Sequence, residues 1–356
     1  MAQQGLISTA PPAGREEFLA ALRSTAERAG EAAGGFVEHR FLIADRVVAL
    51  RFAGPALMPP LTAALAHART EAAGEPDLTV RIWDSESTGT TMPPPPWGPD
   101  DYREHGVIRG WFDEEIQVTW QWVTNALSVL VPARGEGLHW TASVDEYPYF
   151  DRAAPLRKLL HLWLSGEGLQ FTHAAALGDA DGCVLLTGSS GAGKSSATLA
   201  CLDSPIGHVA DDYCVLERGR EQVTVHSVYS SAKANQDSLD RLGLPPELVA
   251  NPVREPDDKA VIFLGDHFPE KLVDRAPLRA FAVPVVTGEQ RTRVVPVSPS
   301  VALAAMAPST LLQLPGTGDA TLRALAAAVR SVPCFRLEAG TDPGGVPAAI
   351  EEMLGR

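Results

Sequence analysis

Apolar residues fall at three- and four-residue steps in a few stretches of the chain, and elsewhere they alternate or run together. Phe18, Leu19, Leu22 and Ala26 share one helical face, which predicts a helix from Arg15 to about Ala33, stopped by Gly34-Gly35. Residues 1–14 carry Gln, Gly, Ser and Pro with little apolar content and are expected to be a flexible N-terminus. From Phe36 to Tyr149 the pattern becomes that of strands. Phe41–Phe52 reads as a strand pair or one long strand. Leu78–Trp83, Val107–Phe112, Ile116–Val123 and Ala126–Val131 follow, the last two joined by a turn at Thr124-Asn125, and Pro93–Pro96 falls in a loop. Helical spacing returns over Asp151–Leu164, where Leu156, Leu159, Leu160 and Trp163 share a face.

Beyond that helix, strands and helices alternate. Thr172–Leu177 and Cys183–Thr187 read as strands about a turn at 178–182, followed by a short helix ending near Leu202 and a strand ending at Val209-Ala210. Val223–Val228, Ala260–Leu264, Leu278–Val286 and Arg293–Val297 are further strands; Ser238–Leu242, Val301–Ala307 and Ala320–Val329 are helices. The pattern predicts a helix plus a β-rich (α+β) domain over 15–150, then an α/β domain with a C-terminal lobe over 151–356. Six of the seven tryptophans lie between Trp83 and Trp140. They either pack the β-rich domain or line an aromatic acceptor groove.

Bulk composition narrows the function classes. Hydrophobic residues make up 45% of the 356, enough for a sizeable core, yet no run approaches the roughly 18 apolar residues a membrane span needs. A net charge of −14 argues against a nucleic-acid partner, whose binding rests on phosphate neutralisation. The N-terminus lacks the basic start and apolar stretch of a secretory signal. Cys183, Cys201, Cys214 and Cys334 form no C-x-x-C pair, so free thiols in a cytoplasmic protein are expected.

The chemistry concentrates in residues 171–217. The strand Cys183–Thr187 runs into Gly188-Ser189-Ser190-Gly191-Ala192-Gly193-Lys194-Ser195, with Ser196 opening the helix behind it. This is G-x-x-x-x-G-K-[ST] in a strand–loop–helix setting, the pattern of a phosphate-binding loop. Glycines let the backbone approach an anion closely and turn its N–H groups inward. The helix N-terminus adds partial positive charge, Lys194 supplies an ammonium for the β- and γ-phosphates, and Ser195 offers its hydroxyl to Mg²⁺. A nucleoside triphosphate, ATP or another, with Mg²⁺ is thereby implied.

Val209-Ala210-Asp211-Asp212 is the second element. An apolar strand ending in carboxylates is the usual partner of such a loop, because the metal must be oriented. Asp211 follows Lys194 by only 17 residues, too close for the architecture of transporter ATPases and helicase-like motors. Two adjacent carboxylates suit two tasks, holding the metal and accepting a proton from an attacking hydroxyl. His173, 15 residues before Gly188, is expected on an adjacent strand, as a structural histidine or beside the phosphates; Lys233 and Lys259 stand beside strands, as solvated surface lysines or as further cations for the phosphate or the acceptor. Arg254, Arg291 and Arg293 are weaker candidates for that task.

His173, the Gly188–Ser195 loop and Gly207-His208…Ala210-Asp211-Asp212 together resemble the catalytic domain of the HPr kinase/phosphorylase family, whose phosphate-loop domain is similar to phosphoenolpyruvate carboxykinase. The likeness covers about residues 170–217, and extends weakly through Tyr229–Lys233 toward stand-alone serine-kinase-like members. It implies a mixed sheet with flanking helices and ATP-dependent transfer of a phosphoryl group to a hydroxyl, on a peptide or protein serine or a small metabolite. By position it implies Asp211 as general base, Asp212 as the metal-side carboxylate, His173 as the active-site histidine, and Lys194 and Ser195 as nucleotide and Mg²⁺ contacts. It also brings self-association into a homo-oligomer as an expectation. Two departures point away from HPr as acceptor and from phosphorolysis: a shorter run between His208 and Asp211, and no glycine-rich, Arg-containing segment after it. A nucleotide-dependent binding or regulatory module without phosphotransfer is the competing reading.

Overall fold

The computed structural model describes residues 14–145, 147–342 and 344–356, so the expected flexible segment falls, but for Gly14, outside the described residues. The first helix spans Arg15–Ala32. It is anchored where Arg15 donates to both oxygens of Asp113 at 2.6 Å. Its buried face, Phe18, Leu22, Ala26 and Ala29, packs on Trp83, Trp97, Trp111, Trp120 and Trp140. These five tryptophans are core; Trp122 alone of the cluster is 63% exposed, against Tyr102.

Seven strands form the first sheet: β1 (Phe36–Ile43), β2 (Arg46–Ala53), β3 (Leu78–Asp84), β4 (Val107–Phe112), β5 (Gln117–Gln121), β6 (Ala126–Val131) and β7 (Glu136–Thr141), in the order β1-β2-β3-β7-β6-β5-β4. The Phe41–Phe52 region is thus a strand pair, a hairpin turned at Ala44 and Asp45, both with positive φ. Strands β2, β3 and β7 run parallel to one another, and the remaining neighbours pair antiparallel.

The second sheet has nine strands: β8 (Gln170–Thr172), β9 (Ala175–Asp179), β10 (Gly182–Leu186), β11 (Gly207–Ala210), β12 (Cys214–Arg218), β13 (Val223–Ser227), β16 (Arg275–Val286), β17 (Arg293–Val297) and β18 (Cys334–Ala339). Strands β14 (Ser231–Ala234) and β15 (Ala260–Phe263) make a separate pair. The main order is β11-β9-β10-β16-β13-β12-β8, with β18 beside β16 and β17 beside β18. Helices Lys194–Ala200 and Gly345–Leu354 cover one face, and Pro299–Leu311 and Asp319–Val329 the other. The chain is therefore α/β, with mixed sheets and flanking helices. Among the described residues no helix is long and apolar enough to cross a membrane, and all four cysteines are buried and free.

Three sequence expectations change. The helix read over Asp151–Leu164 is two, Tyr149–Arg152 and Arg157–Gly166, because Pro155 removes a donor and Leu156 takes a left-handed conformation (φ 54°). The strand read over Thr172–Leu177 breaks at His173-Ala174, where the backbone leaves one partner strand for another. Strands β7, β12, β14 and β18 and the helix Gly345–Leu354 were not read from the sequence. A single hydrophobic cluster joins the sheets. It takes Phe41, Leu50 and Ile82 from the first, Phe171, Tyr213 and Val215 from the second, and Leu159, Leu160 and Trp163 from the helix Arg157–Gly166.

Candidate functional site

Strand register places the predicted residues at one end of the second sheet. Strand β9 is antiparallel to both β10 and β11, so those two run the same way. Ala176 lies opposite Leu185 on one side and Ala210 on the other. The loop after Leu186 and the carboxylates after Ala210 therefore emerge at the same end. His173 precedes β9 and reaches that end too. The register Cys214↔Thr172 sets His173 opposite Tyr213, and their rings lie 5.1 Å apart.

Residues 187–193 form the loop between β10 and the helix Lys194–Ala200. Gly191 and Gly193 have φ of 82° and 98°, a region that costs other residues about 1 kcal/mol or more. Lys194 Nζ donates to the carbonyls of Gly188 (2.7 Å) and Ser189 (3.2 Å), so its ammonium sits inside the loop. Burial holds its pKa below the ordinary lysine value, against the pull of Asp212 and Asp211. Ser195 and Thr198, one turn apart on the helix, both donate to Asp211, at 3.0 and 2.5 Å, and the Lys233 backbone N–H donates to it at 3.0 Å. Asp211 is buried and satisfied, and burial pushes its pKa up.

Asp212 points elsewhere. One oxygen lies 2.9 Å from His173 Nε2 and the other 2.5 Å from Lys233 Nζ. Burial alone would raise its pKa, but the Lys233 charge and the His173 hydrogen bond outweigh it and hold the carboxyl well below the usual range. Burial lowers the pKa of His173, so the ring is neutral at pH 7. An ionised Asp212 requires Nε2 to carry the proton, a tautomer assigned from the network, which leaves the buried Nδ1 without a partner.

An open cleft of about 240 Å³ gathers these groups. His173, Lys194, Ser195, Asp212, Lys233 and Lys259 all line it, and Asp211 does not. Of the cations singled out from the sequence, Lys233 and Lys259 reach the cleft; Arg254 is instead bonded to Gln236 and Asn251, and Arg291 and Arg293 are not on its walls. Arg241, which the sequence reading passed over, is on its wall. The signal was its place on the helix Gln236–Leu242 with Asp237 and Ser238, one turn before it on the same face. A pocket of about 480 Å³ adjoins the cleft, sharing Gly193, Ser196, Arg241 and Val286, with Leu242, Val346 and Pro347 as apolar walls. A further cavity of about 720 Å³ lies beside the loop against Ala304, Pro308 and Leu312. It has no titratable side chain, unlike the smaller cleft.

The donor set fits a phosphate chain with a divalent cation. The lysine lies within a glycine-shaped loop, and a serine hydroxyl and a carboxylate stand together at the helix start. No family model matches the chain, and no curated protein matches it. Among solved structures the chain is similar to the HPr(Ser) kinase/phosphatase from Coxiella burnetii, at 14% identity, over 52% of this chain and 94% of that one, with a TM-score of 0.28. The site's own geometry carries the functional reading.

Proposed function

We propose that the chain is an ATP-dependent phosphotransferase. The Gly188–Ser195 loop holds the triphosphate, and the acceptor is a hydroxyl on a peptide or protein serine or on a small metabolite. One observation carries this: a lysine inside a phosphate loop shares a cleft with a carboxylate, Asp212, that His173 and Lys233 hold in place. When bound, ATP with Mg²⁺ supplies the activated phosphoryl group and neutralises part of its charge.

The remaining tasks fall to the chain's own side chains. Lys194 turns from the Gly188 and Ser189 carbonyls to the phosphates. Ser195 and Asp211 take the metal side, and Thr198 holds Asp211 for that task. Asp212 takes the acceptor side, where it orients the hydroxyl and receives its proton. This exchanges the two aspartates relative to the assignment that the family resemblance implies. The support for the exchange is that Ser195 bonds Asp211, whereas Asp212 faces the cleft. A carboxylate of low pKa is a weak base, yet phosphoryl transfer through a loose transition state asks more for orientation than for basicity. Lys233, Lys259 and Arg241 supply positive charge beyond Lys194. The 480 Å³ pocket beside Gly193 is the space for the nucleoside.

Labelled ATP offered with hydroxyl-bearing peptides, amino acids and sugars tests the proposal. A phosphorylated product that depends on Lys194 and Asp212 supports it. Nucleotide binding without any product across the panel favours the regulatory-module reading, to which the Asp212–Lys233 pair lends weight by lowering the basicity of Asp212.

A further inference from the structure

Away from this cleft, the hairpin of the first sheet meets the second sheet at a cluster of three ligand-type side chains. Asp45, in the β1–β2 turn, Glu217 on β12 and His226 on β13 bring one donor atom each within 4.8 Å of one another. His226 is buried, with Nε2 2.9 Å from Glu217 Oε2, while Glu217 is half-buried and Asp45 is exposed. Asp45, His226, Ser227, Asp274 and Arg275 line a cavity of about 260 Å³ there.

A second observation comes from another element. His67, on the turn of helix Ala63–Ala68, lines the same cavity. Its Nε2 lies 3.0 Å from Ser227 Oγ, and its Nδ1 is buried with no hydrogen-bond partner. A buried imidazole nitrogen without a partner is costly and calls for an account. Local ion pairing leaves it unexplained. Arg275 pairs with Asp45, but both side chains are more than half exposed, where such a pair contributes little.

We infer that Asp45, Glu217 and His226 form a binding site for a first-row divalent transition metal such as Zn²⁺, with His67, on the wall of the adjoining cavity, as the partner of a metal-bound water. One imidazole with two carboxylates is a borderline donor set that suits Zn²⁺ or Mn²⁺ better than Mg²⁺ or Ca²⁺, and it leaves a position for water. Tetrahedral zinc with bonds of about 2.0–2.1 Å needs donors about 3.4 Å apart. The His226–Glu217 pair, 2.9 Å apart, opens slightly to admit the ion, and Asp45 closes on it from within 4.8 Å once Arg275, itself exposed, releases it. The bound metal clips the β1–β2 hairpin to the β12–β13 edge.

The test uses the full chain, stripped with a chelator and then titrated with Zn²⁺ under saturating Mg²⁺, which fills the hard-cation position at Ser195. The expected result is one Zn²⁺ per chain, a higher melting temperature, and visible absorption bands when Co²⁺ replaces Zn²⁺. Asp45→Asn and Glu217→Gln keep the side-chain volume and an acceptor oxygen, so metal-free melting changes little. Each weakens Zn²⁺ binding at least about tenfold, and together they abolish the melting shift. No Zn²⁺ uptake by the wild-type chain, or unaltered uptake by the double variant, overturns the inference.

Discussion

Replacing Asp212 with Asn keeps the side chain's volume and one carbonyl oxygen but removes a unit of negative charge. That charge now pairs with Lys233 at 2.5 Å and accepts a hydrogen bond from His173 at 2.9 Å. After the substitution Lys194, Lys233, Lys259 and Arg241 still line the cleft, with Asp237 the remaining carboxylate on its wall. The triphosphate therefore meets a more positive surface. At a separation of about 7 Å and an effective dielectric of about 20, one unit of charge amounts to about 2 kcal/mol, so nucleotide binding holds or tightens by up to about 30-fold. Transfer is expected to behave oppositely, because under the proposed role the acceptor hydroxyl loses the group that orients it and takes its proton. A fall of about 100- to 10,000-fold is expected, equivalent to about 3–5 kcal/mol of barrier. Equilibrium titration with ATP gives the first quantity, and quenched transfer of labelled phosphate the second. A variant that binds ATP and transfers phosphate within about threefold of wild type refutes the role given to Asp212.

Lys194→Ala removes the ammonium bonded to Gly188 and Ser189, and ATP binding is expected to fall by at least about 100-fold in the same titration, through the loss of a charge-assisted contact. Thr198→Val leaves a buried carboxylate oxygen of Asp211 unsatisfied, so denaturant melting should show a loss of about 1–3 kcal/mol, with weaker Mg²⁺-dependent nucleotide binding. His139, His161 and His208 are buried, and burial lowers each pKa to about 4 from an ordinary 6.5. Between those values the unfolded chain binds more protons than the folded one. Stability is thus full above pH 6.5 and lost as the pH falls toward 4, by up to about 1.4 kcal/mol per pH unit for each histidine. A melting temperature flat from pH 7 to 4.5 contradicts this.

The site was legible where its residues are contiguous. Gly188–Ser195 and Asp211-Asp212 stand out by local spacing, and the register of β9, β10 and β11 brings them to one end of the sheet. Which aspartate faces the cleft was not legible. The answer depends on Ser195 and Thr198 lying one helical turn apart and reaching the first of the pair. His173 was singled out as a residue of an adjacent strand, but it sits in the break between β8 and β9. Such a break reflects a change of partner strand, which periodicity along one segment does not record. Strand β18, Cys-Phe-Arg-Leu-Glu-Ala, was missed because its neighbours β16 and β17 are distant in sequence, and Pro347 obscured the last helix. In the first half, β4 and β6 were read with their observed ends, since alternation and turn residues bound them closely.

The hydrophobic cluster that runs from Phe41 through Leu159 to Tyr213 has a thermodynamic consequence. Loss of packing in one sheet exposes part of the buried face of the other, so the cluster couples the stabilities of the two. Tyr213 belongs to that cluster and also lies against His173. A cavity cut in the shared interior, even beneath the β1–β2 hairpin, is therefore expected to loosen the ring that backs the candidate cleft. Distance along the chain is no protection for the site, and its rigidity is a property of the whole fold.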